Sequence, residues 1–355
     1  MKKPLDNYSF IGSFLEKCGE NVVFLCGDVS REFCEKLSNV AESMNRNIRV
    51  FEIIKEQHRR RIGEAAERQG ISKIFGFMAR SQTMLKFLLL FVQSKVDKEV
   101  IESVKKCDAV VWVGLHEDFD VFYLVDRRLV NAVKEKNCLF LSFPSKTIAD
   151  MLGMKYEDYW QIFFEALNYP WEKMKVLGEE LRNCLINSNT LNITSPLGSD
   201  FTIKPKGEDV HLSYGINKKA LSKGRIQLQL PAGELFMELK EPEVNGKMFF
   251  DIPCILNKQV VSNVKITVEN GNVVDFQSEK GEGVLQRFFE RKESRIVGEL
   301  GFGLNPAIKP CGSIYVDEKA YKTIHVGFGK MRMLNHIDLV MSNPTVQANG
   351  KLIII

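Results

Sequence analysis

The sequence predicts an α/β chain in two parts. A doubly wound parallel-sheet domain with a helical connection is expected over residues 1–189, and a β-rich α+β domain over residues 190–355. Three observations predict it. Apolar runs alternate with helical patterns between residues 21 and 143, the rhythm of β-α units. From about Thr190 the runs become short and are punctuated by turn residues. A length of 355 residues with 45% apolar and 26% charged residues fits two globular domains and excludes a disordered chain.

The elements follow in order. Asn21 to Gly27 is a continuous apolar run ending in glycine, as a buried parallel strand would be. Ser30 can cap a helix that carries Phe33, Leu37 and Val40 on one face. Asn47 to Ile54 is a second strand candidate, Val100 to Cys107 a helix end, and Ala109 to Gly114 a third strand. Leu124 to Lys136 reads as helix and Cys138 to Phe143 as a fourth strand. Tyr156 to Asn187 is helical, with a break at Pro170, and connects the domains. The second half offers strands at 191–193, 201–204, 225–230, 247–252, 260–269 and 273–278. The turn Asn270-Gly271-Asn272 lies among them, and one helix is expected at Gly283 to Arg291.

Lys plus Arg is 49 against 45 Asp plus Glu, a net charge of +4, too balanced for a protein dedicated to nucleic acid or acidic lipid. The eight cysteines are scattered and form no zinc-finger spacing, which suits a reducing cytoplasm. The N-terminal residues carry no apolar signal-peptide core, and Phe87 to Val92 is too short to span a membrane. A cytoplasmic location is expected. The basic run Gln57 to Arg61, the strand end Cys26-Gly27-Asp28, His116 and Cys311 read as a solvated helix end, a sheet edge without a nucleotide loop, a rim histidine and an unactivated thiol.

Chemistry concentrates in the second half. His336 and Asp338 are two apart in strand-like sequence, which puts both on one face. An imidazole beside a carboxylate is a usual ligand pair for a divalent metal. His325 sits in the apolar run Thr323 to Gly329. Glu234 follows a tight turn, and Glu299 lies inside a glycine-rich apolar stretch. A carboxylate in such a place calls for a cation or a hydrogen-bond partner. Five oxygen and nitrogen donors without a thiolate suit Zn²⁺, Mn²⁺, Co²⁺ or Fe²⁺, as one or two ions per chain.

These stretches resemble the aminopeptidase T and aminopeptidase S family of dinuclear metallopeptidases. The matching residues are Leu230-Pro-Ala-Gly-Glu-Leu-Phe236, Gly298-Glu-Leu-Gly-Phe-Gly-Leu-Asn-Pro306, Asp317-Glu318 with Ile324-His-Val-Gly-Phe-Gly329, and His336-Ile-Asp-Leu-Val-Met341, while Gly198 to Ile203 looks like the entry to the same domain. The resemblance implies an N-terminal α/β domain and a C-terminal metal-binding catalytic domain. It also implies a homodimer and removal of an N-terminal residue from a small peptide or related amide. It places metal ligands at Glu234, Glu299, His325, His336 and Asp338, and of these Glu299 is expected to bridge. The family has an active-site Tyr seven residues after the first histidine, where this chain has Arg332. That arginine is expected to act in the site by clamping an anionic group of the substrate. Two further readings stay open: a one-iron enzyme resembling the 2,5-dihydroxypyridine dioxygenases, and a binding protein whose metal site has decayed.

Overall fold

The computed structural model describes residues 8–27, 30–54, 96–115, 126–205, 209–216, 221–239, 243–329 and 336–353. The chain divides into two compact units, residues 1–145 with 215–231 and residues 146–214 with 232–355. The expected boundary at 189/190 does not coincide with this division. The helices of 146–187 cluster with the second unit, and 215–231 returns to the first.

The first unit contains α1 (Ser9–Leu15), β1 (Asn21–Gly27), α2 (Arg31–Ser43), β2 (Asn47–Ile54), α3 (Lys98–Lys106), β3 (Ala109–Leu115), α4 (Arg127–Lys134) and β4 (Asn137–Phe143). Its sheet runs β2-β1-β3-β4 and is completed by Gln227–Leu230, the eighth strand of the chain (β8). Every pairing is parallel. Val22 to Cys26 are all buried because helices cover both faces. Val23, Leu25, Val110 and Trp112 pack with Val104 of α3 and Leu129 of α4. On the other face the Phe143 ring meets Phe33 of α2 at 5.6 Å. Ser30 precedes α2 as expected, but its hydroxyl makes no cap. It bonds instead to the carbonyl of Val113 at 3.0 Å and accepts from the amide of Gly27, tying two strand ends together. The 225–230 run, expected in the β-rich domain, is this last parallel strand. Nothing in so short a run says which sheet it joins.

The second unit begins with α5 (Lys146–Met151), α6 (Tyr156–Asn168) and α7 (Trp171–Ile186), the last two separated at Pro170 as expected. Its strands are β5 (Leu191–Thr194), β6 (Asp200–Lys204), β7 (Val210–Ser213), β9 (Glu234–Glu238), β10 (Glu243–Phe250), β11 (Cys254–Leu256), β12 (Gln259–Glu269) and β13 (Asn272–Lys280). After α8 (Glu282–Phe289) come β14 (Val297–Gly303), α9 (Ile314–Asp317), β15 (Thr323–Phe328), β16 (Ile337–Ser342), β17 (Thr345–Ala348) and β18 (Lys351–Ile353). One antiparallel sheet runs β11-β12-β10-β6-β5-β17-β18 with β13 beside β12, and a second runs β16-β15-β14-β9-β7.

The second of these sheets positions the site. Leu235, Met237, Leu300, Phe302, Ile324, Val326, Phe328, Leu339 and Met341 alternate onto one face and are buried. There Phe328 meets Phe250 of β10 and Phe289 of α8 edge-on, at 6.0 and 5.8 Å. Helix α7 lies against β7, so closely that a Cβ added at Gly178 would stand 2.2 Å from Leu212 Cδ1. The opposite face of the same five strands is left with the polar residues. No helix among the described residues is long and apolar enough to cross a membrane.

Candidate metal centre

Strand register puts the polar face together. Glu299 of β14 lies opposite Gly327 of β15, and Gly327 lies opposite Asp338 of β16. One row along, His325 lies opposite Gly301, and in the row after that Glu234 lies opposite Gly303. A register shift between Val297 and Glu299 marks a bulge at Gly298, the kind of kink that re-aims a side chain. Three donors, one each from Glu299, His325 and Asp338, fall within 4.8 Å of one another. His336, just before β16, joins them, with Nε2 3.1 Å from Asp338 Oδ1 and 3.4 Å from Glu299 Oε2. His325 Nε2 is 3.6 Å from Glu299 Oε1.

Glycines opposite the donors make room for them. A Cβ at Gly301 would stand 1.9 Å from His325 Nε2, so the imidazole lies across bare backbone. A Cβ at Gly327 would stand 2.5 Å from His336 Cε1, 2.7 Å from Glu299 Cβ and 2.8 Å from Asp338 Oδ1. Any other residue at either position would fill the space the donors share.

The clustered carboxylates and imidazoles shift one another's protonation. Burial alone would raise the Glu299 pKa, but hydrogen bonds to His325 and His336 outweigh it and hold the carboxyl at about 2. Burial opposes charge on His325, yet Glu299, Asp338 and Glu318 raise it to about 9. His336 behaves alike, with Asp338 and Glu299 overcoming burial to bring it to about 10. Burial raises Glu234 to about 7, with Lys319 working against it. Lys319 pairs with Glu318, and Glu318 and Glu234 outweigh the effect of burial to raise its pKa.

The turn that carries this pair is fixed from below. Asp317 is fully buried and accepts from the amides of Cys311 and Gly312 at 2.8 and 2.6 Å. The Tyr159 hydroxyl of α6 shares a 2.8 Å hydrogen bond with Ser313.

The pattern of the thermophilic metalloprotease (M29) family matches residues 129–351, well over half of the chain. The chain belongs to this family. Among curated relatives it is similar to aminopeptidase AmpS of Bacillus subtilis (strain 168), at 30% identity over 104 residues. That match covers 29% of this chain and 25% of the relative, so the chain spans a quarter of that relative's length. Among solved structures it shares its fold with AmpT from Thermus thermophilus, at a TM-score of 0.62 and 17% identity over 98% of this chain and 100% of the other. It also shares its fold with a 2,5-dihydroxypyridine dioxygenase from Pseudomonas putida KT2440, at 0.56 and 13% over 100% and 97%.

An M29 protein calls for divalent metal, and the donor set here fits one. His336 Nδ1 is 3.2 Å from the carbonyl of Gly329. A proton on Nδ1 serves that bond and leaves Nε2 as the lone-pair nitrogen, the state a metal ligand needs. Without a cation, Nε2 must carry a second proton to face two carboxylates. Among the described residues His325 Nδ1 has no hydrogen-bond partner, and leaving a buried polar group so costs about 1–3 kcal/mol.

Of the expected site residues, Glu299, His325, His336 and Asp338 come together, and Glu234 stands on the same face two strands from His325. Arg332, Gln57 to Arg61, Asp28 and His116 lie outside the described residues. The sequence pattern marks no role for Glu318, Lys319 or Glu238. Glu238 was within reach of the period-two rule, being four residues from Glu234 on a strand, and it lies directly opposite Glu299. Glu318 and Lys319 follow a four-residue helix, where no periodicity shows which way a side chain points.

Proposed function

We propose that this M29 protein is a metal-dependent aminopeptidase, releasing the N-terminal residue of a small peptide or a related amide. The observation that carries the reading is the convergence of Glu299, His325 and Asp338 on a face cleared by Gly301 and Gly327. Glu234, Glu299, His325, His336 and Asp338 would hold the metal, with Glu299 reaching both positions if two ions bind. An ion held there would supply Lewis acidity toward a scissile carbonyl and toward a water near neutral pH. The protein's part is to hold the donors deprotonated and oriented. The Gly329 carbonyl fixes the His336 tautomer, and the bulge at Gly298 aims Glu299. Arg332 stands in sequence where the resemblance places a Tyr, and on this reading it contacts an anionic group of the substrate.

All eight cysteines are free, which supports a reducing cytoplasm. The family resemblance supports a homodimer.

The test is an aminopeptidase assay on the chain reconstituted with Zn²⁺, Co²⁺, Mn²⁺ or Fe²⁺, using free and N-acetylated dipeptides. Release of the first residue from free peptides only, abolished by chelator, is expected. The second reading, a ring-cleaving oxygenase, rests on the shared fold and on the three-donor set. It would show as one redox-active iron per chain with oxygen uptake on a dihydroxypyridine.

A further inference from the structure

The polar face does not end at the metal donors. It continues across β9 to the edge strand β7. Glu238 lies directly opposite Glu299, and such opposed residues in an antiparallel pair have Cβ atoms roughly 5 Å apart. Like charges so placed repel. Glu299 is held by His325 and His336 on its far side. Glu238 is half-buried and has no hydrogen-bond or ion-pair partner among the described residues.

Beside it on the same face, two residues along β9, is Phe236. Phe236 lies across bare Gly301 from His325, and the His211 ring of β7 packs against it at 5.2 Å between centroids. Phe236 is half-buried and His211 exposed, while Leu235 and Met237 on either side of Phe236 face the core. A carboxylate with no partner among the described residues, next to an aromatic face, favours one kind of occupant, a cation. The carboxylate pairs with its charge, and the ring supports it through its quadrupole.

We infer that Glu238, with Phe236 beside it, receives a positively charged group of the substrate's first residue. The inference rests on the aminopeptidase reading of the same face. The group is either the α-ammonium, present in every substrate, or the head of a lysine or arginine side chain whose stem lies along Phe236. It makes Glu238 a specificity-determining residue and not a metal ligand.

The experiment compares the metal-reconstituted chain with Glu238→Gln and Glu238→Asp. The probes are arginine and leucine p-nitroanilides for KM and kcat, and argininamide and leucinamide for Kd by calorimetry. Metal content is counted in each protein. Loss of a charge-assisted bond corresponds to about ten- to a hundredfold in affinity. Glu238→Gln should raise KM and Kd by that factor while kcat changes far less, and Glu238→Asp should recover part of the loss. A rise confined to the arginine compounds identifies the side chain as the cation, and a rise in both series identifies the α-ammonium. Affinities within twofold of the unaltered chain in both series would overturn the inference. So would loss of metal from Glu238→Gln, or failure of the unaltered chain to bind either amide. If the unaltered chain binds the amides but releases no residue from either anilide or from a free dipeptide, the aminopeptidase reading fails while the amide affinities still decide the role of Glu238.

Discussion

At Gly327 an added methyl group would meet His336, Glu299 and Asp338 at once, each closer than 3 Å. At Gly301 it would meet the His325 ring. Gly327→Ala and Gly301→Ala should therefore lower metal affinity at least tenfold without removing a single donor. Equilibrium dialysis against Zn²⁺ checks this, with circular dichroism to verify the fold. Protonation gives a second expectation. His325 and His336 have pKa values of about 9 and about 10 without metal, above the ordinary 6.5. Their ion pairs stabilise the metal-free protein fully below pH 6.5, and that contribution is lost as pH rises through 9 to 10. Metal must displace those protons, so its affinity should climb with pH until about 10. Calorimetry in buffers of different ionisation enthalpy should count one to two protons released per ion. The four residues that converge were legible because each is a polar residue in otherwise apolar, glycine-rich strand sequence. Glu318 and Lys319 were not, because a charged pair after a short turn is the commonest kind of solvated surface until the fold encloses it.

Whole elements were legible where local chemistry decides them. Pro170 separates α6 from α7, and Asn270-Gly271 turns β12 into β13 with both residues at positive φ. The placement of β8 was not legible, since four residues carry no mark of the strand beside which they will lie. The Asp317 turn shows how an element is held for function. Its carboxylate satisfies two buried amides, and the next two residues carry the Glu318–Lys319 pair. Asp317→Ala leaves those amides without an acceptor and should cost about 1–3 kcal/mol. A urea titration should show the lower midpoint, and metal affinity should fall with it because the turn is released. Asp317→Ala with an unchanged midpoint would mean that the turn is held by other contacts.

At the scale of the molecule, the α/β rhythm, the β-rich second half and their order were all written in the periodicity of apolar residues. The sharing of residues 215–231 and 146–187 between the units was not, because a boundary depends on which surfaces meet and not on composition. Assembly is a further expectation at this scale: light scattering should give twice the chain mass of 40.6 kDa. A monomer at micromolar concentration would separate this protein from the arrangement that the resemblance implies. The central claim, that one face of a five-stranded sheet is a metal centre, is tested most directly by counting metal. The full chain, purified without chelator and dialysed against Zn²⁺, should hold at least one ion per chain by elemental analysis. Glu299→Ala should hold less than a tenth of that while keeping its circular dichroism spectrum. Equal metal in the two proteins, or none in either, would contradict the assignment.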